Sequence, residues 1–142
     1  MFADTLMQLE RGYLVQLLLW GGAGIAAGIA VLAVLAIGRS SSRLLTQFAL
    51  HTLAFGAAEA CFAAIRLRNL PMRDLAGATQ LDRLLWLGAG LDVGLLAVGI
   101  VLVVAARQFA RREGPLGAGV ALMVQGAALL AMHAGLLAHL QL

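Results

Sequence analysis

The chain has 142 residues, of which 62% are hydrophobic and only 12% charged, and its mean hydropathy is +0.94. A soluble domain of this length could not bury so much apolar surface, so the composition indicates an integral membrane protein. All 10 basic residues are arginines that lie between apolar runs, as membrane anchors do. No basic face or nucleic-acid-binding motif accompanies them. We therefore exclude nucleic acid as a partner and expect a lipid bilayer.

The predicted elements are four transmembrane helices in a single domain that covers residues 1–142. The apolar runs cover about residues 13–37, 44–65, 84–106 and 116–138, and each has the roughly 20 residues needed to cross a bilayer. Gly38 predicts the end of the first helix, Ser40 to Ser42 the cap of the second, and Pro115 the start of the fourth. Thr79 and Asp82 resemble a capping box before the third helix. The short loops predict an all-α, up-down-up-down four-helix bundle.

The segment before the first apolar run carries Asp4 and Glu10 against one arginine. This charge pattern and the length of the run are unlike a cleavable signal, so we expect the segment to be retained. Leu6 and Leu9 predict an interfacial helical turn ahead of the first span.

An internal repeat predicts that the bundle consists of two similar hairpins, residues 13–65 and 84–138. Leu18–Gly28 and Leu84–Gly94 share the pattern L-L-W-x-G-A-G-(I/L)-x-x-G, and a Gly-Ala-Ala triplet occurs in both the second and the fourth helix. Each hairpin crosses the membrane twice, so both enter it in the same direction. The result is a tandem parallel repeat about a pseudo-twofold axis along the membrane normal.

Small residues within the spans predict close helix contacts. Gly24 with Gly28, and Gly90 with Gly94, form G-x-x-x-G pairs, and Gly56 opens a small face on the second helix. In lipid such residues let helix backbones approach each other. We expect these five glycines to pack helices within the bundle, with a dimerisation seam as the alternative.

The ionisable residues inside the spans are Glu59, Asp92, His51 and His133. An acid at the bilayer centre costs about 2.5–3.5 kcal/mol on insertion scales. A rise of 1.5 Å per residue places Glu59, Asp92 and His133 roughly 10–14 Å deep, and His51 and Gln125 roughly 20 Å deep. We predict that Glu59, Asp92 and His133 meet inside the bundle and that His51, Gln47 and Gln125 form a second hydrogen-bonded group.

These polar groups have a structural and a functional interpretation. They could satisfy one another and fix the helix register. Alternatively, Glu59 or Asp92 could share a proton with His133, because two unpaired carboxylates in low dielectric do not both stay charged. A haem ligated by two histidines is disfavoured, since His51 and His133 differ in depth and His139 shares a helix with His133. We expect no cofactor, no metal site, no catalytic residue and no enzymatic activity.

The third and fourth helices resemble a family of small four-helix bacterial membrane proteins of unknown function, through Leu84–Gly94 and Val124–Gly126. The resemblance implies a four-helix fold in the bacterial cell membrane and carries no activity. Orientation stays open, because five arginines lie on each side of the membrane.

The sequence leaves two candidate functions for the protein. The first is a structural, assembly or accessory subunit of a larger membrane complex or a homo-oligomer, favoured by the short loops and the lack of a catalytic constellation. The alternative is a proton-linked small-molecule carrier or channel that uses Glu59 and Asp92, and it predicts a water-accessible route to these residues.

Overall fold

The computed structural model describes residues 2–109 and 113–140, and within these ranges the chain forms four helices. They are α1 (Phe2–Ile37), α2 (Arg43–Arg68), α3 (Leu75–Phe109) and α4 (Glu113–Leu140). All four are long and apolar enough to cross a membrane, which fits a multi-pass membrane protein. Arg111 and Arg112, two of the predicted anchors, lie outside the described residues.

The helices pack as two hairpins side by side. Helix α1 lies along α2 and α3 lies along α4, while the two hairpins meet mainly through α2 and α4. A shorter contact joins α1 to α4. The inner helices are therefore α2 and α4, the outer ones are α1 and α3, and the predicted all-α four-helix bundle is confirmed.

Helix α3 begins nine residues before the predicted third span. Asp74 is its N-cap, since the Asp74 Oδ1 atom accepts a hydrogen bond of 2.8 Å from the Gly77 amide. Thr79 lies inside the helix, where its hydroxyl donates to the Leu75 carbonyl at 3.1 Å. The predicted Thr79–Asp82 capping box is therefore wrong, because the helix is already under way when it reaches Thr79.

The connection between α1 and α2 follows the prediction closely. The first helix ends before Gly38, and Ser42 caps the second by accepting a hydrogen bond of 3.3 Å from the Leu45 amide. The left-handed backbone conformation falls on Arg39, with a φ of 48°, instead of on the glycine before it.

The leading segment of α1 belongs to the bundle core. Leu6 is 3% exposed and joins a buried cluster with α3 and α4 leucines, namely Leu81, Leu85, Leu136 and Leu137. The helical extension predicted ahead of the first span is present, since α1 begins at Phe2, and the other two helices cover Leu6. Its location at a membrane interface stays a prediction.

Glycines make the close contact between α1 and α2. A Cβ atom added at Gly56 would stand 2.6 Å from the Gly21 carbonyl oxygen, and one at Gly28 would stand 2.9 Å from the Ala49 carbonyl. A Cβ at Gly24 would lie 3.3 Å from the Thr52 carbonyl. Gly24, Gly28 and Gly56 thus lie at a contact that larger residues would force apart.

The same contacts recur between α3 and α4 in a different register from the L-L-W match. Gly126 approaches Asp92 and Leu96 as Gly56 approaches Gly21 and Ile25. Gly99 meets Gly119 and Met123 as Gly28 meets Ala49 and Leu53. Spatial equivalence therefore pairs Gly21 with Asp92 and Gly28 with Gly99, more than one helical turn away from the L-L-W alignment.

This register explains where Gly90 and Gly94 lie. Both are exposed, and a Cβ atom added at either would meet nothing within 4 Å. Their predicted packing role inside the bundle is wrong, because the face of α3 that contacts α4 carries Gly88, Asp92 and Gly99 instead. Trp86, the counterpart of Trp20 in the L-L-W match, is likewise 56% exposed.

Candidate functional site

The interior polar cluster has two levels, and α1 and α4 contribute a residue to each of them. On α1, Tyr13 and Trp20 are seven residues apart, and on α4, Gln125 and His133 are eight apart. Both spacings are close to two helical turns, so each pair lies on one helix face and its members are separated by roughly 10–12 Å along the axis. Antiparallel α1 and α4 therefore join at two levels, Tyr13 to His133 and Trp20 to Gln125.

His133 is the centre of the first level. Its Nδ1 atom lies 2.6 Å from Asp92 Oδ2 on α3, and its Nε2 atom lies 2.9 Å from the Tyr13 hydroxyl on α1. An ionised carboxylate only accepts hydrogen bonds, so Nδ1–H donates to Asp92 and a neutral ring accepts the Tyr13 proton at Nε2. Asp92 is 3% exposed. The level is a continuous chain from phenol to imidazole to carboxylate.

Gln125 is the centre of the second level. The Trp20 indole N–H donates to Gln125 Oε1 at 2.7 Å, and Gln125 Nε2 donates to Glu59 Oε1 at 3.2 Å. An indole nitrogen can only donate, which fixes the amide so that its NH₂ group faces Glu59. Gln125 is 2% exposed and Glu59 is 8% exposed. The second level thus connects α1, α4 and α2.

Glu59 leaves one oxygen without a partner. Its Oε2 atom is buried and has no hydrogen-bond partner among the described residues. An unsatisfied buried carboxylate oxygen is costly, because burial removes its water and nothing replaces it. A network that served only to fix helix register would gain from satisfying that atom.

The structure brings together some predicted partners and separates others. Asp92 and His133 meet, as the depth estimate predicts. Glu59 pairs with Gln125 and not with His133, so that part of the prediction is wrong. The polar groups on α4 are two turns apart, and only one of them can reach Glu59.

The second predicted group, of His51, Gln47 and Gln125, does not form. The His51 Nδ1 atom lies 2.8 Å from the Gln47 carbonyl oxygen in its own helix. The Gln47 side chain borders a cavity at the start of α2 and α4. The Gln125 side chain is instead hydrogen-bonded to Trp20 and Glu59. Equal depth in the membrane does not turn the side chains of His51 and Gln125 toward each other.

Sequence reasoning missed Tyr13 and Trp20 as members of the cluster. A search for side chains that are charged at neutral pH, together with histidine, passes over an indole and a phenol. The available indication was their seven-residue spacing on a helix that has no acid, histidine or arginine after Arg11.

A second buried polar group ties α1 to the connection between α2 and α3. Glu10, 2% exposed, accepts from Arg73 Nε at 2.7 Å, from Arg73 Nη2 at 2.8 Å and from Arg66 Nη2 at 2.9 Å. The Arg73 contact is a two-pronged pairing of guanidinium and carboxylate. The hydrogen bonds that Arg73 donates to Glu10 raise the pKa of Arg73 above its ordinary value, so this side chain stays charged.

A groove reaches the first level of the cluster from outside. It lies between α1 and α4, has a volume of about 270 Å³, and is lined by residues that include Gln8, Tyr13, Gln16 and His139. Tyr13 therefore has one side on the groove and its hydroxyl on His133. Among the described residues no group of three or more His, Cys, Asp or Glu side chains could hold a metal ion.

The fold and the cluster together define the class of protein as a small four-helix, membrane-spanning bundle with ionisable groups in its interior. The chain belongs to the family described as a family of unknown function (DUF6992), which matches residues 16–134. The expected resemblance to an uncharacterised family is confirmed at this level, and the bacterial membrane stays a prediction. No curated protein and no solved structure shows a significant match.

Proposed function

We propose that the protein is a proton-linked membrane carrier in which Asp92 and Glu59 are the proton-binding groups. The observation that supports this proposal is the hydrogen-bonded chain from the groove at Tyr13 through His133 to Asp92. Ionisable groups inside a membrane bundle are expensive and rare, and they mark substrate, ion or proton pathways.

Each group in this chain can both accept and donate a proton. A proton that arrives at the Tyr13 oxygen allows the hydroxyl proton to pass to His133 Nε2, and the Nδ1 proton then passes to Asp92 Oδ2. His133 finishes as the other neutral tautomer. The cycle is completed when Asp92 releases its proton to the opposite side of the membrane and the ring regains the Nδ1–H tautomer by proton exchange with water. One proton enters at the groove and one appears on Asp92, so charge is conserved at every step.

Glu59 supplies the second proton-binding group of the carrier. Its free Oε2 atom can hold a proton without breaking the hydrogen bond that Oε1 accepts from Gln125. Protonation also removes the charge whose burial is unfavourable, so occupancy of Glu59 can follow the conformational state of the bundle.

Proton flux into reconstituted vesicles tests this function. Purified protein in liposomes that contain a pH-sensitive dye is driven by a potassium diffusion potential, and the rate of internal acidification is recorded. We expect Asp92→Asn and Glu59→Gln to reduce the flux to that of empty liposomes. Tyr13→Phe keeps the ring and removes the relay hydroxyl, and should slow it by roughly tenfold or more.

Glu113→Gln is the matched control, because Glu113 is an exposed acid at the start of α4 and away from the cluster. It should keep the wild-type rate. Wild-type flux equal to that of empty liposomes, or flux unchanged in Asp92→Asn, would contradict the proposal.

A second candidate function is that of an assembly or accessory subunit. It is favoured by the open face of α3, where Gly90 and Gly94 are free of contacts within the bundle. Native mass spectrometry of protein extracted from its own membranes tests this function. Gly94→Leu should remove a stoichiometric partner subunit. Gly22→Leu, on the exposed face of α1, is the control and should retain it. A wild-type protein detected without any partner subunit would contradict this function.

A further inference from the structure

A cavity of about 460 Å³ lies at the end of the bundle that carries the first turns of α1 and α3 and the last turns of α4. This volume is within the roughly 300–1,000 Å³ typical of small-molecule sites. The apolar part of its wall comes from all three helices and includes Leu6, Leu9, Ala78 and Leu140. Such a wall suits an apolar body.

The cavity also contains a carboxylate that lacks a partner. Asp82 lines it and is half-buried, and none of the described residues forms a hydrogen bond or ion pair with it. By contrast, Glu10 in the same part of the bundle is held by two arginines. A half-buried, unpaired carboxylate favours a cationic group beside it, since that group replaces part of the lost hydration.

The charged lining of the cavity is otherwise sparse. His139 is the other titratable residue that lines it, and no arginine does so among the described residues. The lining therefore attracts a cation through Asp82. Among the lining residues that the structure describes, an anionic ligand finds no fixed positive charge.

The cavity continues toward the relay. Leu9 and His139 line both this cavity and the groove that reaches Tyr13. A molecule held at Asp82 would therefore lie at the outer end of the path that leads through Tyr13 and His133 to Asp92.

We infer that this cavity binds an organic cation with an apolar body, with Asp82 as the counter-charge. Its role as the carrier's substrate rests on the proposed function, because a cation held at Asp82 would lie at the outer end of the proton path. The binding itself does not depend on transport, and it can be measured without a gradient.

Two ions of nearly the same shape and opposite charge test the inference. Equilibrium dialysis of labelled tetraphenylphosphonium and tetraphenylborate against the protein in detergent, with empty micelles subtracted, gives the binding of each. We expect saturable binding of the phosphonium and none of the borate. Asp82→Asn should weaken phosphonium binding by about tenfold or more.

Three further variants make the result specific. Ala78→Phe fills the cavity and leaves Asp82 in place, so it should also abolish binding even if Asp82→Asn proves unstable. His139→Gln should retain or tighten binding, and the distant Glu113→Gln should leave it unchanged. Equal binding of both ions, or phosphonium binding unaltered by Asp82→Asn and Ala78→Phe, would overturn the inference.

The outcome separates the two proposals. Phosphonium binding without proton flux in vesicles would support the cation site and contradict the proposed carrier function. Proton flux in a protein that does not bind the phosphonium would support the carrier function and contradict the cation site.

Discussion

Asp92 on α3 and His133 on α4 approach within 2.6 Å between Oδ2 and Nδ1, at a place where both side chains are largely buried. The Tyr13 hydroxyl occupies the other ring nitrogen. His133 therefore has both nitrogens engaged by groups from different helices. The pair joins the two helices of the second hairpin, and in the proposed relay it is the end of the route from the groove.

The strength of this pair can be measured by a double-mutant cycle. Interhelical hydrogen bonds in membrane proteins average about 0.6 kcal/mol and reach about 1.7 kcal/mol. For Asp92→Ala and His133→Ala we expect a coupling free energy of about 1–2 kcal/mol, because the bond is short and charge-assisted. Equilibrium unfolding in mixed detergent micelles gives the values. Strictly additive effects of the two substitutions would contradict the contact.

Glycine substitutions distinguish the inward face of the helices from the outward one. Gly56→Ala introduces a Cβ atom 2.6 Å from a backbone oxygen of α1 and should destabilise the protein by about 1–3 kcal/mol through overpacking. Gly94→Ala meets open space and should be neutral or stabilising by up to about 1 kcal/mol, through helix propensity. Thermal unfolding in detergent compares them. Equal destabilisation by both would contradict the register described above.

The Glu10 cluster predicts unequal roles for its two arginines. Arg73 presents two nitrogens to Glu10 and its side chain is 9% exposed, whereas Arg66 presents one and is 34% exposed. Arg73→Lys loses the two-pronged geometry and should cost about 1–3 kcal/mol of unfolding free energy, and Arg66→Lys less than about 1 kcal/mol. Detergent unfolding of both variants measures the difference. A larger loss for Arg66→Lys would refute this ranking.

The start of α3 offers a direct check of the helix boundary. Asp74→Ala removes the N-cap acceptor and should destabilise the protein by about 0.5–2 kcal/mol. Thr79→Ala removes only a bond to the helix's own carbonyl and should change stability by less than about 0.5 kcal/mol. Thermal unfolding again gives the comparison. The reverse order would place the helix start at Thr79.

The fold was predictable because hydrophobic length is the main determinant of membrane helices. The four spans all fall inside observed helices. The ends were less predictable. Helix α3 starts before its apolar run because Asp74 supplies the cap, and α1 starts before its run because other helices cover Leu6. The length of an apolar run reveals neither the cap nor the covering helices.

The site was predictable only in part, since depth along a helix does not give rotation about it. Asp92 and His133 share both depth and facing direction, so the estimate brought them together. Gln125 has the estimated depth of His51 but bonds to Trp20 and Glu59. Its estimated depth also differs from that of Glu59 by several ångströms, because the estimate assumes straight helices that all start at one level. The sequence match of the L-L-W segments likewise ignored rotation, and therefore assigned Gly90 and Gly94 to the wrong face.

Hydrogen–deuterium exchange at the Asp92 carboxyl is the most direct test that Tyr13 and His133 carry protons to it. Infrared spectroscopy in lipid, at a pH low enough to protonate Asp92, follows the shift of its carbonyl band after transfer to D₂O, with Asp92→Asn identifying the band. We predict that Tyr13→Phe slows this exchange by roughly tenfold or more. Exchange at the wild-type rate in Tyr13→Phe would contradict the relay.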